Sequence, residues 1–225
     1  RAAAWERDMS GRILVINPNS SETVTGDIDR ALDGFRGAGG PAIDCITLAE
    51  GPPGIETERH VSEVVAPLCH AIRREQASAV VIACFSDPGL YAAREVTGSP
   101  VFGIAQCGML AALARGERFG IIAILDASIP RHCRYIASLG LSERMAGERA
   151  LGLGVTALAN EEIVGSRMTA AGERLRDEDG ADVIVLGCAG MARYRRQLET
   201  NLGCAVIDPS QAAVGMALAA LGADR

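Results

Sequence analysis

Two runs of five apolar residues, each closed by a cysteine, constrain the fold more than any other feature of this chain. Ala79-Val80-Val81-Ile82-Ala83 ends at Cys84, and Val183-Ile184-Val185-Leu186-Gly187 ends at Cys188. Short β-branched runs bounded by turn residues read as strands buried on both faces, as in parallel sheets flanked by helices. Each is followed at once by turn and helix-start residues, Phe85-Ser86-Asp87-Pro88-Gly89-Leu90 and Ala189-Gly190-Met191. Both thiols are therefore expected at the carboxyl ends of central strands, where open α/β sheets place their ligands. The cysteines stand 104 residues apart, and the apolar run opening at Arg12 recurs at Arg118, 106 residues on. Two nearly equal offsets point to one architecture used twice.

The rest of the chain alternates strand and helix. The run 12–16 is a strand, and a helix follows with Asn19 as its expected N-cap and Glu22 at the capping-box position. Residues 41–48 form a second strand, and 56–76 a helix that Pro67 should kink. After the Cys84 strand a helix is expected to open at Asp87-Pro88, then a strand at 100–104 and a helix around 109–114. The second series has a strand at 118–125, a helix at 130–139, a glycine-rich loop and a helix at 161–177. The Cys188 strand, a short strand at 205–208 and a helix at 211–221 complete it. The fold class is α/β: two similar doubly wound, mainly parallel-sheet domains related by pseudo-twofold symmetry, with the active site in the cleft between them. Residues 1–112 plus 208–225 are expected to form the first domain and 113–207 the second.

Bulk properties exclude several functions. A net charge of −6, with no basic run and only 4% aromatic residues, is unsuited to nucleic acid, whose phosphates are met by clustered cations. No stretch approaches the roughly 18 uninterrupted apolar residues that a membrane span requires. The seven cysteines are odd in number and contain no Cys-x-x-Cys pair, which argues against a secreted disulfide framework. No signal peptide is visible in residues 1–8, which read as an extension before Met9. The expected compartment is the cytoplasm. His60 and His70 have no companions at ligand spacing, so no metal site is expected, and no glycine-rich phosphate loop is present.

Two thiols facing one substrate atom have a defined chemistry. A thiol titrates at about 8.5, and a helix N-terminus lowers that value, so both cysteines are expected to reach thiolate character. One thiolate can remove a proton from carbon while the other thiol returns one from the opposite face, inverting the centre. Backbone N–H groups at Ser86-Asp87 and Ala189-Gly190 are placed to receive the developing oxyanion. No metal or organic cofactor is required. Cys45, Cys69, Cys107, Cys133 and Cys204 lack this repeated context and read as packing residues.

These segments carry a resemblance. Asn17-Pro18-Asn19-Ser20, Cys84-Phe85-Ser86-Asp87-Pro88-Gly89-Leu90 and Leu186-Gly187-Cys188-Ala189-Gly190-Met191 resemble the aspartate/glutamate/hydantoin racemase superfamily. They are most similar to its hydantoin and allantoin racemase branch, as are Gly51-Pro52-Pro53-Gly54-Ile55-Glu56 and Val206-Ile207-Asp208. The resemblance runs from Arg12 to the C-terminus. It implies cofactor-independent racemisation with Cys84 and Cys188 as the acid/base pair, and a homo-oligomer. It also favours Asn17 as a donor to a substrate carbonyl. Racemases of free aspartate and glutamate follow their cysteines with Asn-Thr and Thr-His or Thr-Glu, whereas this chain has Phe85-Ser86 and Ala189-Gly190. A neutral hydantoin or cyclic ureide suits such a site better than a free amino acid. The branch carries hydroxyl residues where this chain has Ala123-Ile124, which bears on the ring substituent.

The expected substrate-binding set is Asn17, Ser86, Asp87, Ala189 and Gly190. Asp87 reads chiefly as an N-cap, Ser86 as a partner of substrate or thiolate, and Glu56 as a residue that orders its Gly/Pro loop. Other readings stay open: an amino-acid racemase or a maleate-type cis-trans isomerase of the same superfamily. A third is a non-catalytic small-ligand-binding or thiol-sensing protein.

Overall fold

The computed structural model describes residues 11–159 and 161–223; the extension expected at residues 1–8 lies outside them. The first half runs β1 (Arg12–Asn17), α1 (Glu22–Ala31), β2 (Ala42–Thr47), α2 (Glu58–Glu63), α3 (Val65–Glu75), β3 (Ala79–Ile82), α4 (Leu90–Val96), β4 (Val101–Gly103) and α5 (Ile104–Leu113). The second runs β5 (Phe119–Ala123), α6 (Ile129–Ser138), β6 (Met145–Ala150), α7 (Glu161–Asp177), β7 (Val183–Leu186), α8 (Arg195–Leu202), β8 (Ala205–Ile207) and α9 (Pro209–Ala223). Among the described residues the strands form two four-stranded sheets, ordered β2-β1-β3-β4 and β6-β5-β7-β8, all parallel. The same order occurs twice, as the repeated offsets predict.

The central strands β1, β3, β5 and β7 are almost wholly buried, which is why they read as unbroken apolar runs. One continuous core spans both sheets, joining Ile13 and Val81 to Ile122, Ile184 and Val214. Helix α9 closes the chain back on the first half: Gly108 of α5 has Pro209 so close that an added Cβ would lie 2.9 Å from the proline Cβ. Gln211 also donates to the Ala31 carbonyl at 2.8 Å. Arg193 reaches buried Asp27 at 2.7 Å, a second tie between the halves. Among the described residues no helix is long and apolar enough to cross a membrane.

Several local expectations are corrected. The N-cap of α1 is Ser21, whose Oγ accepts from the Val24 amide at 3.3 Å; Asn19 points its Oδ1 at the Ser21 amide instead. The helix expected over 56–76 breaks at Val64, because Pro67 cannot donate to the carbonyl four residues back, at Glu63, where α2 ends. Helix α4 opens at Leu90 rather than Pro88, after a turn in which Asp87 has φ 41° and Gly89 φ 66°. Helix α5 begins directly after β4, earlier than 109. The glycine-rich loop after α6 contains an edge strand, β6. Its Met-Ala-Gly-Glu-Arg-Ala sequence lacks β-branched residues, and Arg149 secures it to Asp179 at 2.7 Å and Glu178 at 2.8 Å. A six-residue 3₁₀ turn at 189–194 leads into α8, which the apolar periodicity did not reveal.

Candidate active site

Both cysteines sit two residues beyond the end of a strand, and the intervening residue carries the ladder on. The Ala83 amide donates to the Ile16 carbonyl at 2.8 Å, and the Gly187 amide to the Ile122 carbonyl at 2.8 Å. A Cβ at Gly187 would lie 2.5 Å from that carbonyl oxygen, so the strand end needs glycine there. Each cysteine carbonyl then accepts from the amide three residues on, Asp87 at 3.0 Å and Met191 at 3.1 Å. Matched turns thus present the two thiols from opposite sheets into one pocket. It holds about 410 Å³ of empty space, part of it open to solvent, and its wall includes Cys84, Cys188, Asn19, Ser128 and Arg131.

The thiols are not activated in the way the helix-start argument predicts. Cys84 is raised to about 11 and Cys188 to about 12, first by burial. The short turn after Cys84 and the 3₁₀ turn after Cys188 supply single backbone donors, Ser86 and Gly190, which lower each thiol but do not offset burial. The Ser86 and Gly190 amides act on the sulfurs, and the Asp87 amide is committed to the Cys84 carbonyl. The two surroundings differ. Cys84 feels Asp87, which raises it, and the Arg131 guanidinium and Ser86 hydroxyl, which lower it. Cys188 feels Cys84, Glu56 and Asp208, all of which raise it.

The structure separates the expected binding residues. Ser86 and Ala189 line the pocket beside the cysteines. Gly190 lies just behind Cys188, where an added Cβ would be 3.8 Å from its sulfur. Asn17 is turned inward: its Nδ2 donates to Asn19 Oδ1 at 2.9 Å, Thr25 Oγ1 at 3.0 Å and the Ser21 carbonyl at 3.1 Å. Its neighbour Asn19 reaches the pocket wall instead, held by Asn17 through Oδ1. Asp87 also faces away, and it caps α5 rather than its own helix. Its carboxylate accepts from the Ala105 amide at 2.9 Å, the Gln106 amide at 2.8 Å and the Tyr135 hydroxyl at 2.8 Å. A Cβ at Gly103 would lie 2.2 Å from Asp87 Cγ, so this cap depends on glycine. Burial raises Asp87 to about 6, and likewise Asp208, which caps α9 through Gln211 at 2.8 Å.

The residues that sequence reading missed come from α6. Arg131 is buried and donates through Nε to Ser86 Oγ at 3.1 Å and through Nη1 to the Glu56 carbonyl at 3.4 Å. His132 Nδ1 is 2.5 Å from Glu148 Oε1, tying α6 to β6, and the Phe85 ring meets the His132 ring edge-on. Glu56 orders its loop by accepting from the Val155 amide at 2.9 Å, across the two halves. A signal for the α6 residues existed. The repeat offset carries the capping turn before α1 onto the turn before α6, where Ser128-Ile129-Pro130 opens the helix. Among the described residues no group of three or more His, Cys, Asp or Glu is gathered for a metal.

The family model for Asp/Glu/hydantoin racemases matches residues 13–217. The chain is 37% identical to a hydantoin racemase of Paenarthrobacter aurescens over 94% of this chain and 92% of that one. It resembles the solved allantoin racemase of Klebsiella pneumoniae with a TM-score of 0.84 at 33% identity, covering 94% of this chain and 89% of that one. The allantoin racemase of Pseudomonas fluorescens gives a TM-score of 0.86 at 26% identity, covering 94% and 92%.

Proposed function

The chain belongs to the Asp/Glu/hydantoin racemase family, and on that premise we propose that it inverts the ring stereocentre of a 5-substituted hydantoin or of allantoin by cofactor-independent proton transfer between Cys84 and Cys188. The enzyme is an isomerase of the racemase type. The observation that carries the finer reading is the pair of thiols on matched strand ends, facing one pocket from two sheets. In the forward direction one thiolate removes the acidic proton beside the ring carbonyl, and the other thiol delivers a proton to the opposite face. For the mirror-image substrate the roles exchange. Ser86 and Gly190 amides stabilise whichever sulfur is ionised, and Asn19, in place of Asn17, meets the ring carbonyl where charge develops.

A cyclic ureide is favoured over a free amino acid by the composition of the wall. Among the described pocket-lining residues none is Asp or Glu, so nothing there is matched to an ammonium group. The same reading takes residues 1–112 with 208–225 as one domain and 113–207 as the other. It also takes the protein as a cytoplasmic homo-oligomer, in keeping with seven free cysteines.

The test is to incubate single enantiomers of hydantoins and allantoin in deuterated water. Loss of circular dichroism with one deuteron gained at the stereocentre is expected. A full panel of hydantoins and allantoin that keeps both its optical activity and its proton overturns the proposal.

A further inference from the structure

The pocket holds a buried cation whose charge the acid/base mechanism meets only while Cys84 is ionised. Arg131 is only 8% exposed, yet among the described residues no carboxylate lies within ion-pair distance of it. Its bonds go to neutral acceptors, Ser86 Oγ and the Glu56 carbonyl, and none of them uses Nη2. Burying a guanidinium without an anion is costly, and the cost falls when an anion enters. A second group on the same turn is also incomplete. Ser128, 1% exposed and lining the same pocket, has an Oγ with no hydrogen-bond partner. Ser128 stands directly before α6, a ten-residue helix whose N-terminal turn carries Arg131. The positive end of that helix adds to the same field. His132 does not compete, since Glu148 already holds it.

We infer that Ser128 and Arg131 form a subsite for a carboxylate on the substituent of the substrate, so that this racemase acts on hydantoins bearing an acidic side chain. The inference rests on the hydantoin reading for the ring and adds the class of its substituent. The ring itself is neutral at pH 7, so the charge that Arg131 meets belongs to the substituent. A wall with a cation and no carboxylate fits an acid whose amino nitrogen is locked in the ureide ring.

The pair 5-(carboxymethyl)hydantoin and its neutral amide, 5-(carbamoylmethyl)hydantoin, tests this in two assays. Racemisation is followed by circular dichroism, and occupancy by protection of Cys84 and Cys188 from iodoacetamide, which needs no turnover. The carboxylate is expected to be favoured by about tenfold or more in kcat/KM and in protection, the scale of one well-placed charge contact. Arg131→Met should erase that preference through KM, Arg131→Lys should keep part of it, and Ser128→Ala should reduce it. Equal handling of acid and amide by the wild-type enzyme in both assays overturns the subsite, whether or not neutral hydantoins are racemised. So does an Arg131→Met enzyme that keeps the wild-type preference for acid over amide; an equal fall of kcat on both compounds reports only the loss of the cation beside Cys84. Protection by the acid without racemisation of any hydantoin leaves the subsite standing and removes the hydantoin reading.

Discussion

The two halves share a backbone plan and differ in the charges set around it. Cys84 and Cys188 leave equivalent strands through equivalent turns, with a single backbone donor each. Around Cys84 the second half contributes a cation, Arg131, which acts directly and through Ser86. Around Cys188 the named neighbours are all acidic: Cys84, Glu56 and Asp208. A duplicated fold therefore fixes where two thiols stand but leaves their ionisation to side chains that the duplication does not repeat. The buried carboxylates behave oppositely to the thiols. Asp87 and Asp208 come from different places in their halves, yet each caps the helix after its sheet's last strand and each is raised to about 6.

The largest effect is expected from breaking the pair itself. Cys84→Ser and Cys188→Ser should each lower two-way racemisation by about 10²–10⁴-fold, because one face loses its acid or base. Deuterium exchange without inversion should persist in one direction, and the two variants should retain opposite enantiomer preferences. Chiral chromatography with mass detection reads both quantities. Identical residual behaviour of the two variants, or full activity in either, would break the assignment of one thiol to each face.

The carboxylates give the next effect, and here the halves should act alike. Each Asp titrates near 3.8 when unfolded and near 6 when folded. Between those values the folded chain holds protons that the unfolded chain has released, so stability falls as pH rises through the window. Two shifts of this size correspond to a few kcal/mol together. Urea midpoints measured from pH 4 to 7 should decline, and Asp208→Asn should remove about half of the decline. Asp208 is the better choice because its Oδ2 has no hydrogen-bond partner, so removing the charge there disturbs least. A stability that climbs across the same window would show that both carboxylates act as ordinary ionised caps.

What was legible in the sequence follows from which forces act along the chain and which act across it. The buried strands β1, β3, β5 and β7 were readable because burial on both faces demands unbroken apolar residues, and the positions of both pocket thiols were readable from those strands. Edge strand β6 was not, since ion pairs from Arg149 and a packed Gly147 replace apolar burial there. That Asn19 rather than Asn17 lines the pocket depends on Thr25 and Ser21, contacts set by folding. Asp87 looked like the cap of the next helix in sequence, but its partners stand 18 and 19 residues on, at α5. Arg131 was missed for the same reason: its meaning depends on Ser86, 45 residues away. The lowered thiols were expected from helix starts, and burial outweighed a donor that is one amide rather than a full helix end.

The smallest effect is the most direct measure of the asymmetry. Burial raises both thiols, but Arg131 and the Ser86 hydroxyl pull Cys84 back down, whereas Cys84, Glu56 and Asp208 all push Cys188 further up. Iodoacetamide attacks the thiolate, so Cys84 should be labelled faster than Cys188 in the substrate-free enzyme. Both rates should rise steadily from pH 7 to 9, since both thiols remain mostly protonated across that range. Peptide mass spectrometry after brief labelling reads the ratio. Arg131→Met takes away a cation that lowers Cys84 and is not among the main influences on Cys188, so it should slow Cys84 more than Cys188 and bring the ratio toward one. A ratio that favours Cys188, or that ignores Arg131, would mean that access through the pocket rather than charge decides which thiol is ready to act.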